Sequence, residues 1–165
     1  MLVVFSVRRE YTFLMNKKTY YWLAVGIFLM VIGGLIYAVF RKEDYVFLSL
    51  LKKIGVDYSV LRHNGLSVKS NSEIFLIYSL PGGLWLLSGL VITGVIWKNN
   101  VKYFLLYSFA VTALSIAHEF SQKLKFISGT FDPADIAVLL CSCITGIALY
   151  FLLIRDGGLL NRKYE

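Results

Sequence analysis

Charged residues are scarce in this chain, because Asp, Glu, Lys and Arg together make up only 16% of its 165 residues. A typical soluble domain contains about 25% charged and about 45–50% apolar residues, whereas 58% of this chain is hydrophobic and its mean hydropathy is +0.68. Intrinsic disorder requires low hydrophobicity. The composition therefore excludes both an ordinary soluble domain and a disordered chain.

Cysteine is scarce as well. The only two cysteines, Cys141 and Cys143, lie one residue apart inside an apolar run, a spacing that gives poor geometry for a structural disulfide. We therefore exclude a disulfide scaffold and interpret both residues as small hydrophobic side chains.

Recognised catalytic and cofactor motifs are missing. The chain has no Ser-His-Asp series, no HExxH zinc helix, no phosphate-binding loop and no CxxC pair. His63 has no second His or Cys at metal-ligand spacing, which favours a loop residue over a ligand. The sequence thus predicts no cofactor and no metal site, and it identifies no catalytic residue. No array of basic and aromatic residues indicates nucleic-acid binding.

The main feature of the sequence is a set of four long apolar runs. They cover residues 20–40, 74–97, 103–120 and 136–154, and contain 21, 24, 18 and 19 residues. An α-helix needs roughly 20 residues to cross about 30 Å of hydrocarbon, whereas strands of a membrane barrel alternate in polarity over about 10 residues. We therefore predict an all-α polytopic membrane protein with four transmembrane helices, forming a single domain over residues 1–165.

Residues 41–73 separate the first two spans. The first half of this segment, residues 43–54, mixes Tyr, Phe, Leu and Ile with acidic and basic residues, as in a helix that lies in the membrane interface. Gly55 can end such a helix. We predict a short interfacial helix followed by a polar loop.

The Lys and Arg residues give the expected orientation. With a cytoplasmic N-terminus, nine of them lie on that side of the membrane and eight on the other. Lys17 and Lys18 adjoin the first span, which usually dominates the positive-inside rule. We therefore expect both termini in the cytoplasm. The net charge of +7 is explained by basic residues that anchor span ends to anionic lipid.

The second span contains the sequence Pro81-Gly82-Gly83. Proline removes a backbone donor and the glycines have no side chains, so a kink or a broken turn is expected here. Small residues also let neighbouring membrane helices approach closely. Two interpretations stay open: helix packing, and a helix break that exposes backbone polar groups to a ligand.

The end of the third span carries the most informative polar residues. On a helix, His118 and Gln122 are four apart and Glu119 and Gln122 three apart, so their side chains share one side. An ionisable group at the edge of an apolar span usually faces the protein interior or a watery cavity. Glu119 is therefore the leading functional candidate. The alternative is an interfacial glutamate that pairs with Lys123 at i,i+4.

The fourth span opens with Asp132-Pro133-Ala134-Asp135. This pattern predicts a helix start, with Asp132 as the N-cap, Pro133 at the first helical position and Asp135 at the positive end of the helix. This structural role explains both aspartates well and is favoured for Asp132, whereas for Asp135 a chemical role in a ligand site explains the residue equally well. The candidate ligand-binding residues are then His118, Glu119, Gln122, Asp132 and Asp135.

These two segments together resemble the VanZ-like family of small bacterial integral membrane proteins. The typical features of that family are a Glu-x-x-Gln helix end, a short loop with an aromatic-Asp-x-x-Asp sequence, and a final apolar helix that contains a glycine. The matching positions here are Glu119, Gln122, Phe131, Asp132, Asp135 and Gly146. The resemblance covers about residues 103–153. This chain lacks the asparagine that often follows the second aspartate, and Gly129-Thr130 replace the usual basic residue before the aromatic one.

The resemblance implies a multi-pass protein of the bacterial cytoplasmic membrane. The founding member of the family is associated with reduced susceptibility to the glycopeptide antibiotic teicoplanin, so a role in the cell envelope and in antibiotic resistance is implied. The expected ligand is lipophilic or lipid-linked, and the expected partners are membrane lipid and either a lipid-linked envelope precursor or a glycopeptide.

Two alternatives to a binding protein stay open. One is a membrane-embedded enzyme that acts on a lipid-linked envelope intermediate, with Glu119 or Asp135 as general base and His118 as proton partner or metal ligand. The other is a small subunit of a membrane complex, which the small residues of the second span would allow.

The expected orientation is testable with reporter fusions after residue 165. We expect a green fluorescent protein fusion to fluoresce and an alkaline phosphatase fusion to stay inactive, because the disulfides of the phosphatase do not form in the cytoplasm. Matched fusions after residue 60 should give the reverse pattern. An active phosphatase after residue 165 would contradict the assignment.

Overall fold

The computed structural model describes residues 17–40, 52–53, 55, 70, 75–127 and 131–155. All regular secondary structure in these residues is helical. The α-helices are α1 (Lys17–Phe40), α2 (Leu80–Ile96), α3 (Val101–Lys123) and α4 (Pro133–Leu149). A π-helical turn, Phe75–Ser79, precedes α2, and a second π-helical segment, Tyr150–Ile154, continues α4.

Four helical segments in the described residues are long and apolar enough to cross a membrane, which confirms the predicted helical architecture. They are Lys17–Phe40, Ile77–Ile96, Val101–Lys123 and Pro133–Ile154. The third segment continues past the end of its apolar run, because its polar residues extend the same helix to Lys123. The residues from His118 to Gln122 are therefore helical, as the interpretation of their i,i+3 and i,i+4 spacing assumed.

The predicted interfacial helix, residues 43–54, lies largely outside the described residues. Of this segment, Lys52 and Lys53 are helical and exposed. Gly55 follows with a φ of 82°, and its N–H donates to the carbonyl of Lys52 at 3.2 Å. A glycine in this left-handed conformation is typical of a helix end.

α2 is the central helix of the described bundle. In an 18-residue stretch of each span, 56% of the positions are buried in the second span, against 17%, 17% and 22% in the first, third and fourth. α2 packs most extensively against α1 and α4 and only lightly against α3, which packs against α4. The other helices carry large exposed apolar side chains, such as Phe28, Leu114 and Ile144. That distribution suits a bundle surrounded by lipid.

Small residues bring α1 and α2 into close contact. A Cβ built on Gly26 or Gly33 would lie 2.6–2.7 Å from a side chain of α2. The close approach lets Ser88 Oγ donate to the carbonyl of Gly26 at 2.8 Å, and Trp85 Nε1 donate to that of Met30 at 3.2 Å. Backbone carbonyls of α1 thus satisfy two polar groups that are costly to leave in hydrocarbon.

A second set of glycines joins α2 to α4. A Cβ on Gly83 would overlap Val138 and lie 2.8 Å from Ser142 Oγ, and one on Gly146 would lie 2.7 Å from Leu90. The start of α2 therefore meets the first half of α4, and its middle meets the second half. The two helices run in the same direction.

Phe104 and Tyr150 join α3 to the far end of the fourth span. Their rings stack with centroids 3.8 Å apart and planes at 15°, and both side chains are fully buried beside Val91 and Val95. The Tyr150 hydroxyl donates to the carbonyl of Trp97 at 3.0 Å, in the turn between α2 and α3. This aromatic pair sets the register between α3 and α4.

Adjacent glycines of α1 provide a matched test of this packing. Gly33→Ala should lower the free energy of unfolding by about 1–3 kcal/mol, because Trp85 fills the space that the new methyl group needs. Gly34→Ala should leave stability unchanged or raise it by up to about 1 kcal/mol, since nothing lies within 4 Å of its Cβ position and alanine is the better helix former. Thermal unfolding in detergent would measure both. Equal effects of the two changes would contradict the described interface.

Candidate functional site

Four helix termini lie at one end of the bundle. α2 and α4 begin there, and α1 and α3, which run in the opposite direction, end there. We call this end the polar end; the residues that the sequence singled out at it are Pro81, Gly82, Gly83, His118, Glu119, Gln122, Asp132 and Asp135. The fold thus brings together segments that lie up to 54 positions apart in the sequence.

The aromatic stack allows the depths of Glu119 and Asp135 to be compared. Glu119 lies fifteen residues after Phe104 along α3, and Asp135 lies fifteen residues before Tyr150 along α4. At about 1.5 Å per residue, both carboxyl groups lie about 22 Å from the stacked rings. Fifteen residues also equal four turns plus about 60°, so each side chain remains near the helix face that carries the stack. Glu119 and Asp135 therefore lie at about the same depth on neighbouring helices.

Both carboxyl groups turn partly toward the interior. Glu119 and Asp135 are half-buried, and each has one fully buried carboxylate oxygen, Oε2 of Glu119 and Oδ1 of Asp135. Each residue also takes part in a further polar or electrostatic interaction. Neither side chain simply extends into lipid, which would be costly for a carboxylate.

Phe131 connects the loop before α4 to the end of α3. Its ring lies 5.9 Å from that of Phe120, centroid to centroid. The Lys123 ammonium lies 5.0 Å from the Phe131 centroid, within the range of a cation–π contact. The alternative interpretation paired Lys123 with Glu119, whereas the structure places this ammonium over an aromatic ring.

Asp132 starts α4 as an N-cap. Its backbone is extended, with φ −127° and ψ 124°, and its Oδ1 accepts a hydrogen bond from the Ala134 N–H at 2.9 Å. The Asp132 carbonyl also accepts from the Asp135 N–H at 3.0 Å. Pro133 follows in the first turn, where a missing N–H does no harm. Local capping thus accounts for the position of Asp132, and it places Asp135 in the first turn of α4.

The other candidates differ in their exposure. His118 is exposed and Gln122 is half-buried, although both extend from the same stretch of α3. Pro81 is buried in the first turn of α2, directly after the π-helical turn. Gly83 lies tightly against α4, whereas Gly82 is exposed and has nothing within 4 Å of its Cβ position. The Pro-Gly-Gly sequence therefore combines a helix start, a packing contact and an open surface.

Two polar residues of the bundle were not singled out from the sequence. Ser79 and Thr112 are 3% and 5% exposed, and within the described ranges their hydroxyl oxygens have no hydrogen-bond partner. Ser79 ends the π-helical turn next to Pro81, and Thr112 lies two turns before Glu119 on α3. The sequence contained one signal for these residues, because each is a polar residue within an apolar run. Helix packing explains such a residue as well as a functional role does.

Comparisons with family models, with curated proteins and with solved structures find no match to this chain. The structure by itself defines the class of protein. It is a helical bundle with four segments able to span a membrane, and two neighbouring helices each carry a half-buried carboxyl group at about the same depth.

Two substitutions at Asp132 would test its role as the N-cap of α4. Asp132→Ala should lower the free energy of unfolding by about 1 kcal/mol, because the Ala134 N–H loses its acceptor, while Asp132→Asn should keep most of the stability since asparagine caps helices equally well. Thermal unfolding of the purified variants measures this. Equal loss in both variants would show that the charge, rather than the cap, matters.

Proposed function

We propose that this chain is a VanZ-like protein of the bacterial cell envelope that binds the polar part of a lipophilic or lipid-linked ligand at its polar end. The observation that carries the proposal is the position of Glu119 and Asp135, which lie at about the same depth on neighbouring helices with one oxygen each buried. Ionisable groups at the edge of hydrocarbon are costly, and they usually serve binding or transport.

The residues of the VanZ-like resemblance support the same site. Glu119 and Gln122 come from the end of α3, and Asp135 comes from the start of α4. The contact between Phe120 and Phe131 joins the loop between these helices to α3. This contact holds the two helix ends together, and it supports one ligand contacting both of them.

Apolar side chains beside the polar end suit a lipid-linked ligand. Phe120, Leu124 and Phe126 are 46%, 63% and 80% exposed. A hydrocarbon chain lying along these side chains would bury apolar area, at roughly 25 cal/mol per Å². Its polar part would then lie close to the carboxyl groups.

We place the protein in the bacterial cytoplasmic membrane with both termini in the cytoplasm. In this orientation α2 and α4 begin on the outer side, so the polar end opens toward the space from which a glycopeptide antibiotic arrives. Binding of a lipid-linked envelope precursor or of the glycopeptide there would alter susceptibility.

Teicoplanin susceptibility tests the proposal. In a strain lacking the gene, the wild-type protein should reduce susceptibility, whereas the double variant Glu119→Gln, Asp135→Asn should leave it at the level of the deletion strain, because both acceptor charges are lost. Asp57→Asn is the matched control, since it neutralises a carboxylate between the first two spans. The abundance of each variant in membranes is measured in parallel.

Each result has a distinct meaning. Protection by the double variant at equal abundance would remove the polar end as the binding site. Equal susceptibility with and without the wild-type protein would remove the glycopeptide role. Turnover of a lipid-linked precursor by the purified protein would favour the enzyme alternative.

A further inference from the structure

Ser79 is a buried polar residue that the proposed site does not yet use. Its side chain is 3% exposed, and among the described residues its hydroxyl has no hydrogen-bond partner. A serine in a helix usually satisfies its hydroxyl by donating to the carbonyl four residues earlier. Three serines of α3 do so at 2.7–2.9 Å: Ser108, Ser115 and Ser121. A buried hydroxyl without a partner is costly, and it indicates a site that a ligand or water completes.

The direction of α2 places Ser79 at the depth of the carboxyl groups. Gly83, four residues later, lies against Val138 and Ser142 of α4. Because α2 and α4 run in the same direction, one turn back along both helices brings Ser79 to the level of Asp135. The π-helical turn that contains Ser79 does contact α4. Ser79, Glu119 and Asp135 therefore lie at one depth on three different helices.

The chemistry of this set favours an organic ammonium over a metal ion. Carboxylates on neighbouring helices repel each other when both are charged, and a cation that binds both reduces the repulsion. Calcium takes about six to eight oxygen ligands and magnesium about six, whereas the described residues contain no group of three His, Cys, Asp or Glu side chains that could hold a metal. A primary ammonium has three N–H donors, and Ser79, Glu119 and Asp135 each have a buried oxygen that can accept one.

The surroundings favour an ammonium carried by a lipid. α2 packs only lightly against α3, and α3 carries the exposed apolar side chains Phe109 and Leu114, which suit contact with acyl chains. Gly82 has open space beside it. Lys123 and Lys125 are exposed at the same end and complement a phosphate next to the ammonium.

We propose that Ser79, Glu119 and Asp135 bind the primary ammonium of a phosphatidylethanolamine head group, and that Ser79 is a ligand-contacting residue of the polar end. This inference rests on the proposed function and names the class of ligand. The Ser79 hydroxyl oxygen accepts one ammonium N–H, and the two carboxylates accept the other two and balance the charge. The phosphate lies toward Lys123 and Lys125, and the acyl chains lie along the apolar side of α3.

Lipid retention by the purified full-length protein tests the inference. Native mass spectrometry from detergent would compare phosphatidylethanolamine with phosphatidylcholine of the same acyl chains, because the choline head group keeps the charge but has no N–H donor. We expect the wild-type protein to retain phosphatidylethanolamine about tenfold more strongly, as expected for hydrogen bonds to charged groups. Ser79→Ala should reduce this preference about threefold or more, and Glu119→Gln with Asp135→Asn should abolish it.

Matched controls separate binding from folding. Ser108→Ala removes a buried hydroxyl that is already satisfied by the Phe104 carbonyl, so it should keep the full preference. The preference is a ratio of two lipids on one sample, which makes it independent of the amount of folded protein. A preference that survives in both Ser79→Ala and the double variant would overturn the assigned residues.

The remaining outcomes distinguish this inference from the proposed function. Equal retention of both lipids by the wild-type protein, with loss of both in the double variant, would overturn the ammonium assignment and leave the polar end as a binding site. Retention of both lipids unchanged in the double variant would count against both proposals. Free ethanolamine displacing the lipid at equal concentration would overturn the lipid as the source of the ammonium.

Discussion

The packing of α2 between α1 and α4 is the constraint on which the rest of this structure depends. Lipid chains are as apolar as leucine, so membrane helices gain little from burying apolar surface against each other and associate through close packing instead. Glycines supply that close approach on both sides of α2: Gly26 and Gly33 from α1, Gly83 from α2 itself and Gly146 from α4. Because α1 and α4 both pack closely against α2, the start of α2 has a defined depth beside α4.

The stack of Phe104 on Tyr150 lies at the opposite end of the bundle and fixes the register of α3 against α4 at the polar end. A slip of one residue would rotate a side chain about 100° around its helix and move it about 1.5 Å along the axis. Such a slip of α3 against α4 would change the depth and the direction of the Glu119 carboxylate relative to Asp135. An aromatic contact about 22 Å away therefore fixes the relative depth of the two carboxyl groups.

Much of the helical architecture is predictable, but its boundaries are less so. Continuous apolar runs must be helical in hydrocarbon, because every backbone polar group needs a partner within the segment. The apolar composition ends at residue 120, whereas α3 continues to Lys123, since polar side chains at a span edge reach water without ending the helix. The second run begins at residue 74, whereas α2 begins at Leu80 after a π-helical turn, because composition does not distinguish helix types.

Local chemistry was sufficient to predict four helices long and apolar enough to cross a membrane, the N-cap at Asp132 and the candidacy of Glu119 and Asp135. Apolar length, capping geometry and the cost of a charge at a span edge are properties of a single segment. The assembly of the helices decided that the two carboxyl groups share one depth, and that the hydroxyl of Ser79 is buried without a partner in the described part of the chain. Register and hydrogen-bond satisfaction depend on what a neighbouring helix presents, and no pattern within one helix contains that information.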